Sequence, residues 1–310
     1  MLSTIEGIHH VTSLAKDAGV TDNFFTRILG LRRVKKTVNF DAPDVYHLYY
    51  ANGMGQPGTV MTYFPFSNIV QGRRGTGEVS TTVFSVPEGS LDFWEAHLAE
   101  SGVRGLQTDQ KFGERRLNFF GPDDDGFALL EVPSDAREPW TGGGIDASNA
   151  IRGFHSATML LADSGGTRDL LSLMGYEKAG VEDNTLRMVR AVGNGAHVID
   201  LVSDASMPPA RQGGGSVHHI AFAVPNAEEH VRVRESLRQE GFAITPVIDR
   251  DYFLSIYFRA PGGVLFEIAT NEPGFARDEE PAHLGEELKL PKQHAHLRPY
   301  LESHLPPIGG

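Results

Sequence analysis

The same short pattern comes round four times in this chain, and that repetition constrains its fold more than any single motif. Strand-like segments begin at Gly7–Ser13 (GIHHVTS), Glu78–Val86 (EVSTTVFSV), Gly153–Leu161 (GFHSATMLL) and Ser216–Val224 (SVHHIAFAV). Each is rich in β-formers and ends near turn residues. Helical spacing follows each one, at Val20–Leu29, Ser90–Glu100, Thr167–Leu173 and Ala227–Glu240. A glycine then stops each helix, at Gly30, Gly102, Gly175 and Gly241. Further strands complete the unit; in the last copy they are Ala243–Ile248, Leu254–Arg259 and Val264–Ala269, with Ala260-Pro261-Gly262-Gly263 as a turn.

The predicted architecture is therefore α+β, with four βαβββ units paired into two lobes of cupped mixed sheet. Residues 1–135 and 151–272 are expected to form one lobe each, from consecutive units. Residues 136–150 read as a linker and 273–310 as a tail that wraps the surface. A chain of 310 residues is long enough to bury two cores.

Composition narrows the function. A net charge of −12 disfavours nucleic acid, which needs clustered Lys and Arg. With no cysteine, any metal must be held by His, Asp or Glu. The first residues lack a basic stretch followed by an apolar core, and no apolar run approaches the roughly 18 residues of a membrane span. The expectation is a cytoplasmic protein without a membrane or nucleic-acid partner. Acidic surfaces and sheet edges are compatible with a homo-oligomer, and no particular state is indicated.

Alternation along strands selects the candidate chemistry. In the fourth unit His218 shares a face with Ile220, Phe222 and Val224, whereas His219 shares one with Val217, Ala221 and Ala223, small enough to leave a cavity. On the last strand Phe266 and Ile268 read as packed and Glu267 as open. In the first unit Ile8, His10 and Thr12 read as one face, so His10 corresponds to His219. Two imidazoles and a carboxylate make a facial triad of the kind that holds non-haem Fe(II). The other units are an internal control. His155 aligns with His9 and Ser156 takes the ligand position in the third, and the second has no His. Glu131 (FALLEV) mirrors Glu267 without His partners and reads as structural, so one site is expected. Tyr257 and Arg250 are placed to serve it, and His9 and His218 to orient ligands or carry protons. His47 is a weaker candidate, and His294, His296 and His304 read as surface histidines.

The IHHVT strand, the GLRRVKKTVNFDAPDVYHLYYANGMGQPGTVMTYFPF stretch, SVHHIAFAVP and the DRDYFLSIYFRAPGGVLFEIAT ending resemble the glyoxalase/bleomycin-resistance/extradiol-dioxygenase (vicinal oxygen chelate) superfamily. More narrowly, they are similar to its ring-cleaving branch that opens p-hydroquinones. The resemblance covers nearly the whole chain. It implies paired βαβββ units, a mononuclear Fe(II) (with Mn(II) or another divalent ion as the alternative), and O2-dependent cleavage of a small aromatic diol next to a hydroxyl-bearing carbon. It implies His10, His219 and Glu267 as ligands, Arg250 and Tyr257 as substrate contacts, His9 as an acid/base group and His218 behind the ligands. A catechol extradiol dioxygenase and a glyoxalase-like lyase or isomerase are the rival activities on such a fold, and a metal-free binding protein is a third reading.

Overall fold

The computed structural model describes residues 2–309 of the chain. The first unit comprises β1 (Ile8–Ala15), α1 (Ala18–Asn23), β2 (Arg32–Val38), β3 (Tyr46–Ala51) and β4 (Val60–Pro65). The second comprises β5 (Glu78–Val86), α2 (Leu91–Glu100), β6 (Arg104–Lys111), β7 (Glu114–Phe120) and β8 (Gly126–Glu131). The third comprises β9 (Gly153–Leu161), α3 (Gly165–Leu173), β10 (Glu177–Glu182), β11 (Thr185–Val189) and β12 (Val198–Ser203). The fourth comprises β13 (Val217–Val224), α4 (Ala227–Gln239), β14 (Ile248–Asp249), β15 (Phe253–Arg259) and β16 (Leu265–Pro273). Each helix ends where expected, and the four stop glycines all take positive φ, between 68° and 90°.

Two local departures have identifiable causes. The first helix becomes a π-turn over Phe24–Ile28, where the Leu29 amide donates to the Phe24 carbonyl five residues back. The wider turn lets the adjacent Phe24 and Phe25 both face the core. The strand expected over Ala243–Ile248 shrinks to Ile248–Asp249, because Pro246 has no amide to donate and the Thr245 hydroxyl takes the Tyr257 amide at 3.0 Å.

The strands form two eight-stranded mixed sheets, β14-β15-β16-β13-β1-β4-β3-β2 and β10-β11-β12-β9-β5-β8-β7-β6. The α+β class and the cupped sheets are as expected. The expected pairing of consecutive units is corrected: one sheet joins the first and fourth units, the other the second and third. Both joints are antiparallel pairs of lead strands, β1 with β13 and β5 with β9. The exchange follows from the connections after β4 and β12, which run side by side through bridges Gln71↔Gly214, Arg73↔Arg211 and Thr76↔Pro209. Each connection carries the chain from one sheet to the other. The sheets also share one apolar core, in which Ile8 and Phe222 belong to the same cluster as Val79, Phe84 and Phe154.

The tail does more than wrap the surface. Its Asp278 and Glu279 carboxylates pair with the fully buried Lys35 of β2, the first at 2.6 Å, and its Lys289 amide donates to the Lys36 carbonyl at 2.9 Å. After α5 (Arg298–His304), Leu305 and Pro306 reach the wall of a cavity that His10 and His219 also line. Among the described residues no helix is long and apolar enough to cross a membrane.

Candidate metal centre

The site grows out of two irregularities in the β1–β13 pairing. Ile8 opposes Phe222 and His10 opposes Ala221, so His9 is an extra residue on β1. Thr12 opposes His219 and Ser13 opposes Val217, so His218 is extra on β13. A bulge interrupts alternation, which lets two successive side chains lie together. The rings of each pair accordingly touch through Nδ1 atoms, His9 with His10 at 2.9 Å and His218 with His219 at 2.7 Å. This corrects the strict alternation read from the sequence. Ile8 lies in the core with Val11, not on the face of His10.

Across the sheet His10, Ala221, Glu267 and Tyr257 stand in one row, and His219 is two residues from Ala221 on the same face. The small Ala221 therefore leaves a hollow ringed by the three candidate ligands. His10 Nε2 and His219 Nε2 lie 3.3 Å apart, and Glu267 Oε2 is 3.3 Å from the first and 2.9 Å from the second. All three residues are buried, and they are the one group of three or more potential metal ligands among the described residues.

The tautomers decide what these atoms can do. The Thr270 carbonyl only accepts, so His9 donates to it from Nε2 at 3.2 Å. Burial, reinforced by neighbouring His10, pushes the His9 pKa down to about 3, so the ring is neutral and its Nδ1 must accept from His10 Nδ1. Donation from Nδ1 leaves His10 Nε2 as the atom that can offer a lone pair to the hollow. If the His218–His219 pair has the same polarity, His219 has a lone pair there too, and burial lowers the His219 pKa against the pull of Glu267. Burial would raise the Glu267 pKa, but positive charge or an N–H turned toward it from His10 and His219 outweighs burial and holds the carboxyl well below its usual range, a service that a metal cation would take over once both rings face it with lone pairs. Glu267 Oε2 lies within ion-pairing distance of both rings, yet no donor is aimed at it. Three buried acceptors converging at 2.9–3.3 Å are satisfied together by one cation. Ligands about 2.1 Å from a metal, at right angles, lie about 3.0 Å apart, so the residues present fit a metal ion.

Surrounding groups hold this arrangement. The Ser255 hydroxyl donates to Glu267 Oε1, and Phe253 packs against His10 with ring centroids 5.1 Å apart. Tyr257 meets His219 edge-on at 5.5 Å. Burial and the Glu267 carboxylate raise its pKa over the opposing effect of Arg250, so the phenol stays protonated. Arg250 stacks 5.6 Å over Tyr257 and 5.4 Å over Phe40, with Asp41 at 3.5 Å.

His10, His219, His218, Tyr257 and Arg250 all line a cavity of ≈ 840 Å³. His9 does not line it; it sits behind His10, a position suited to orienting that ligand and not to moving substrate protons. His218 does face the cavity, with its pKa lowered to about 4 by burial and by His219.

Sequence reasoning missed Ser255, although Ser255, Tyr257 and Glu267 share a face by simple alternation. It also undervalued His47, which is buried in the cavity wall and bonds the Tyr49 hydroxyl at 2.9 Å and the Thr62 hydroxyl at 2.8 Å. His296 and His304 are exposed, and the half-buried His294 donates to the Phe40 carbonyl.

The glyoxalase/bleomycin resistance protein/dioxygenase superfamily model matches residues 172–268. MhqE of Bacillus subtilis (strain 168), provisionally named a ring-cleaving dioxygenase, is 40% identical over 303 residues, covering 96% of this chain and 95% of its own length. The chain belongs to this superfamily. A second relative of the family member, the chlorohydroquinone/hydroquinone 1,2-dioxygenase of Sphingobium indicum, is 36% identical over 93% of this chain and 92% of its own. A crystal structure of a B. subtilis protein, provisionally described as a dioxygenase, superposes with a TM-score of 0.95 at 39% identity, covering 99% and 98% of the two chains.

Proposed function

We propose that this superfamily member is an Fe(II)-dependent ring-cleaving dioxygenase that inserts O2 into a hydroquinone-type diol, opening the ring next to a hydroxyl-bearing carbon. Mn(II) is the alternative metal, and the partners are a small aromatic diol and O2. The names of its relatives support the reaction class.

The observation that carries the reading is the number of ligands. By pairing register Thr12 and Thr62 stand to His10 as Ala221 and Glu267 stand to His219. A symmetric site would carry a second carboxylate at residue 62. Thr62 instead spends its hydroxyl on Thr12 at 2.9 Å and on His47. Three ligands leave room for both an aromatic oxygen and O2, whereas glyoxalase-like chemistry commonly uses a fourth protein ligand. Retention of both His-His pairs disfavours a metal-free binding protein.

The bound metal would supply Lewis acidity toward a phenolic hydroxyl and a path for electrons from the ring to O2. The remaining work falls to side chains of the chain itself. Ser255 fixes Glu267, and His9 fixes the tautomer of His10. Tyr257 offers a hydroxyl and Arg250 a cation to oxygen that gains charge during ring opening. His218 holds His219 through the Nδ1 contact and, where it accepts there, keeps its own proton on Nε2. Phe253, Tyr49 and Phe64 give the cavity an aromatic lining against which a ring can pack.

Anaerobically purified and reconstituted protein should contain about one iron per chain and consume one O2 per hydroquinone, yielding a ring-opened acid. Zinc or nickel at that stoichiometry, with no O2 uptake on iron loading, would sink the assignment.

A further inference from the structure

The cavity is much larger than the ring it would have to hold. A benzene ring is accommodated by a cavity of about 150 Å³, against ≈ 840 Å³ in this protein. His10, His219, Tyr257 and Phe253 form part of its lining. The rest of the wall draws on three separate segments: the β2–β3 connection, the stretch after β4, and the tail. Val45, Phe66, Ile69 and Leu305 from these segments line the cavity and are only half-buried. Each leaves part of its apolar surface exposed. The tail is fixed there by design of the fold: the Tyr46 hydroxyl donates to the Pro306 carbonyl at 3.0 Å, and Arg33 donates to the Gly309 carbonyl at 2.9 Å.

Charge narrows the occupant further. Arg250 is the one guanidinium in the lining, no lysine is present, and Asp41 and Asp44 also line the cavity. Arg250 already faces Asp41 at 3.5 Å. A carboxylate on the ring would meet two acids and, apart from the Arg250 already engaged beside Tyr257 and Asp41, no cation, a mismatch that costs affinity.

We infer that the preferred substrate is a para-diol carrying a bulky, neutral, apolar substituent, several carbons larger than a chlorine or methyl, which lies against Leu305, Ile69, Phe66 and Val45. The inference rests on the proposed ring-cleaving activity for the reacting end, and on the outer wall for the substituent.

The test uses the iron-loaded full chain with hydroquinone, its 2-methyl, 2-butyl and 2-hexyl derivatives, and hydroquinone bearing a ring carboxylate. In parallel, calorimetry on the same preparation without O2 follows binding of 4-methyl-, 4-butyl- and 4-hexylphenol, which lack the second hydroxyl. Both kcat/KM and phenol affinity should rise roughly two- to fourfold per methylene, as expected for burying each CH2. The carboxylate should be at least tenfold poorer than the near-isosteric methyl compound. Leu305→Asp should collapse the hexyl-to-hydroquinone ratio by about tenfold. Turnover that is flat or falling with chain length, or a carboxylate handled as well as methyl, would overturn the substituent inference while leaving ring cleavage intact. No turnover of any diol, with phenol affinity still rising along the series, would overturn the activity and support the cavity's preference.

Discussion

The two sheets are built on the same register and have opposite uses. Lead strands β5 and β9 pair as β1 and β13 do, with Ser80 and His155 as the extra residues where the first sheet has His9 and His218. Following that register, Thr81 stands for His10, Ser156 for His219, and Asp200 for Glu267. Arg187 opposes Asp200 as Tyr257 opposes Glu267. In the second sheet the buried carboxylate is neutralised from within: Arg187 grips Asp200 through two bonds of 2.8 and 2.9 Å and reaches Glu114 at 2.5 Å. In the first, the guanidinium position holds a phenol, and two imidazoles turn toward the carboxylate instead. A buried carboxylate needs a cation. One sheet carries its cation covalently and becomes scaffold; the other leaves the place for a metal.

The comparison can be broken at several points. Arg187→Met would leave Asp200 buried without a partner, and should destabilise the protein by about 3–5 kcal/mol in chemical denaturation with metal content unchanged. Loss of metal in that variant would mean the second sheet is more than scaffold. Ser255→Ala removes the donor that orients Glu267, and should weaken metal affinity by roughly 10- to 100-fold, measured by chelator competition, with little effect on the melting temperature of the metal-free protein. An unchanged affinity would demote Ser255 to a packing residue.

The smallest expected effect is on pH dependence. Burial, and then Arg187, lower the His155 pKa to about 4, below its unfolded value of about 6.5. Between these values the unfolded chain binds the extra proton, so stability falls as pH falls. His155→Gln should flatten that fall by about 1 kcal/mol per pH unit between pH 6 and 5. Identical slopes for variant and parent would show that His155 takes up its proton without unfolding.

Much of this was legible in sequence, because strand starts, helix stops and ligand types are local signals. β5 and β9 lie where the pattern put them, and His10, His219 and Glu267 converge. What escaped depends on pairing. Bulges cannot be seen in a single strand, so Ile8 was grouped with His10, and the contact between paired rings was invisible. Glu131 was matched to Glu267 by appearance. By register its unit has Ala128 at that position, while Glu131 accepts from the Leu91 amide at the start of α2. Asp200, the true counterpart, lies in VIDLV with no flanking signal. Which units share a sheet, and the tail's place in the cavity wall, are set by contacts between residues far apart in the chain.

The central claim is that one carboxylate waits for a metal and its counterpart does not. Metal stoichiometry after anaerobic reconstitution and desalting, compared for the parent, Glu267→Gln and Asp200→Asn, tests it most directly. The account predicts about one metal per chain in the parent and in Asp200→Asn, and less than about a tenth of that in Glu267→Gln. Equal metal in Glu267→Gln and the parent, or loss of metal in a folded Asp200→Asn, would contradict it.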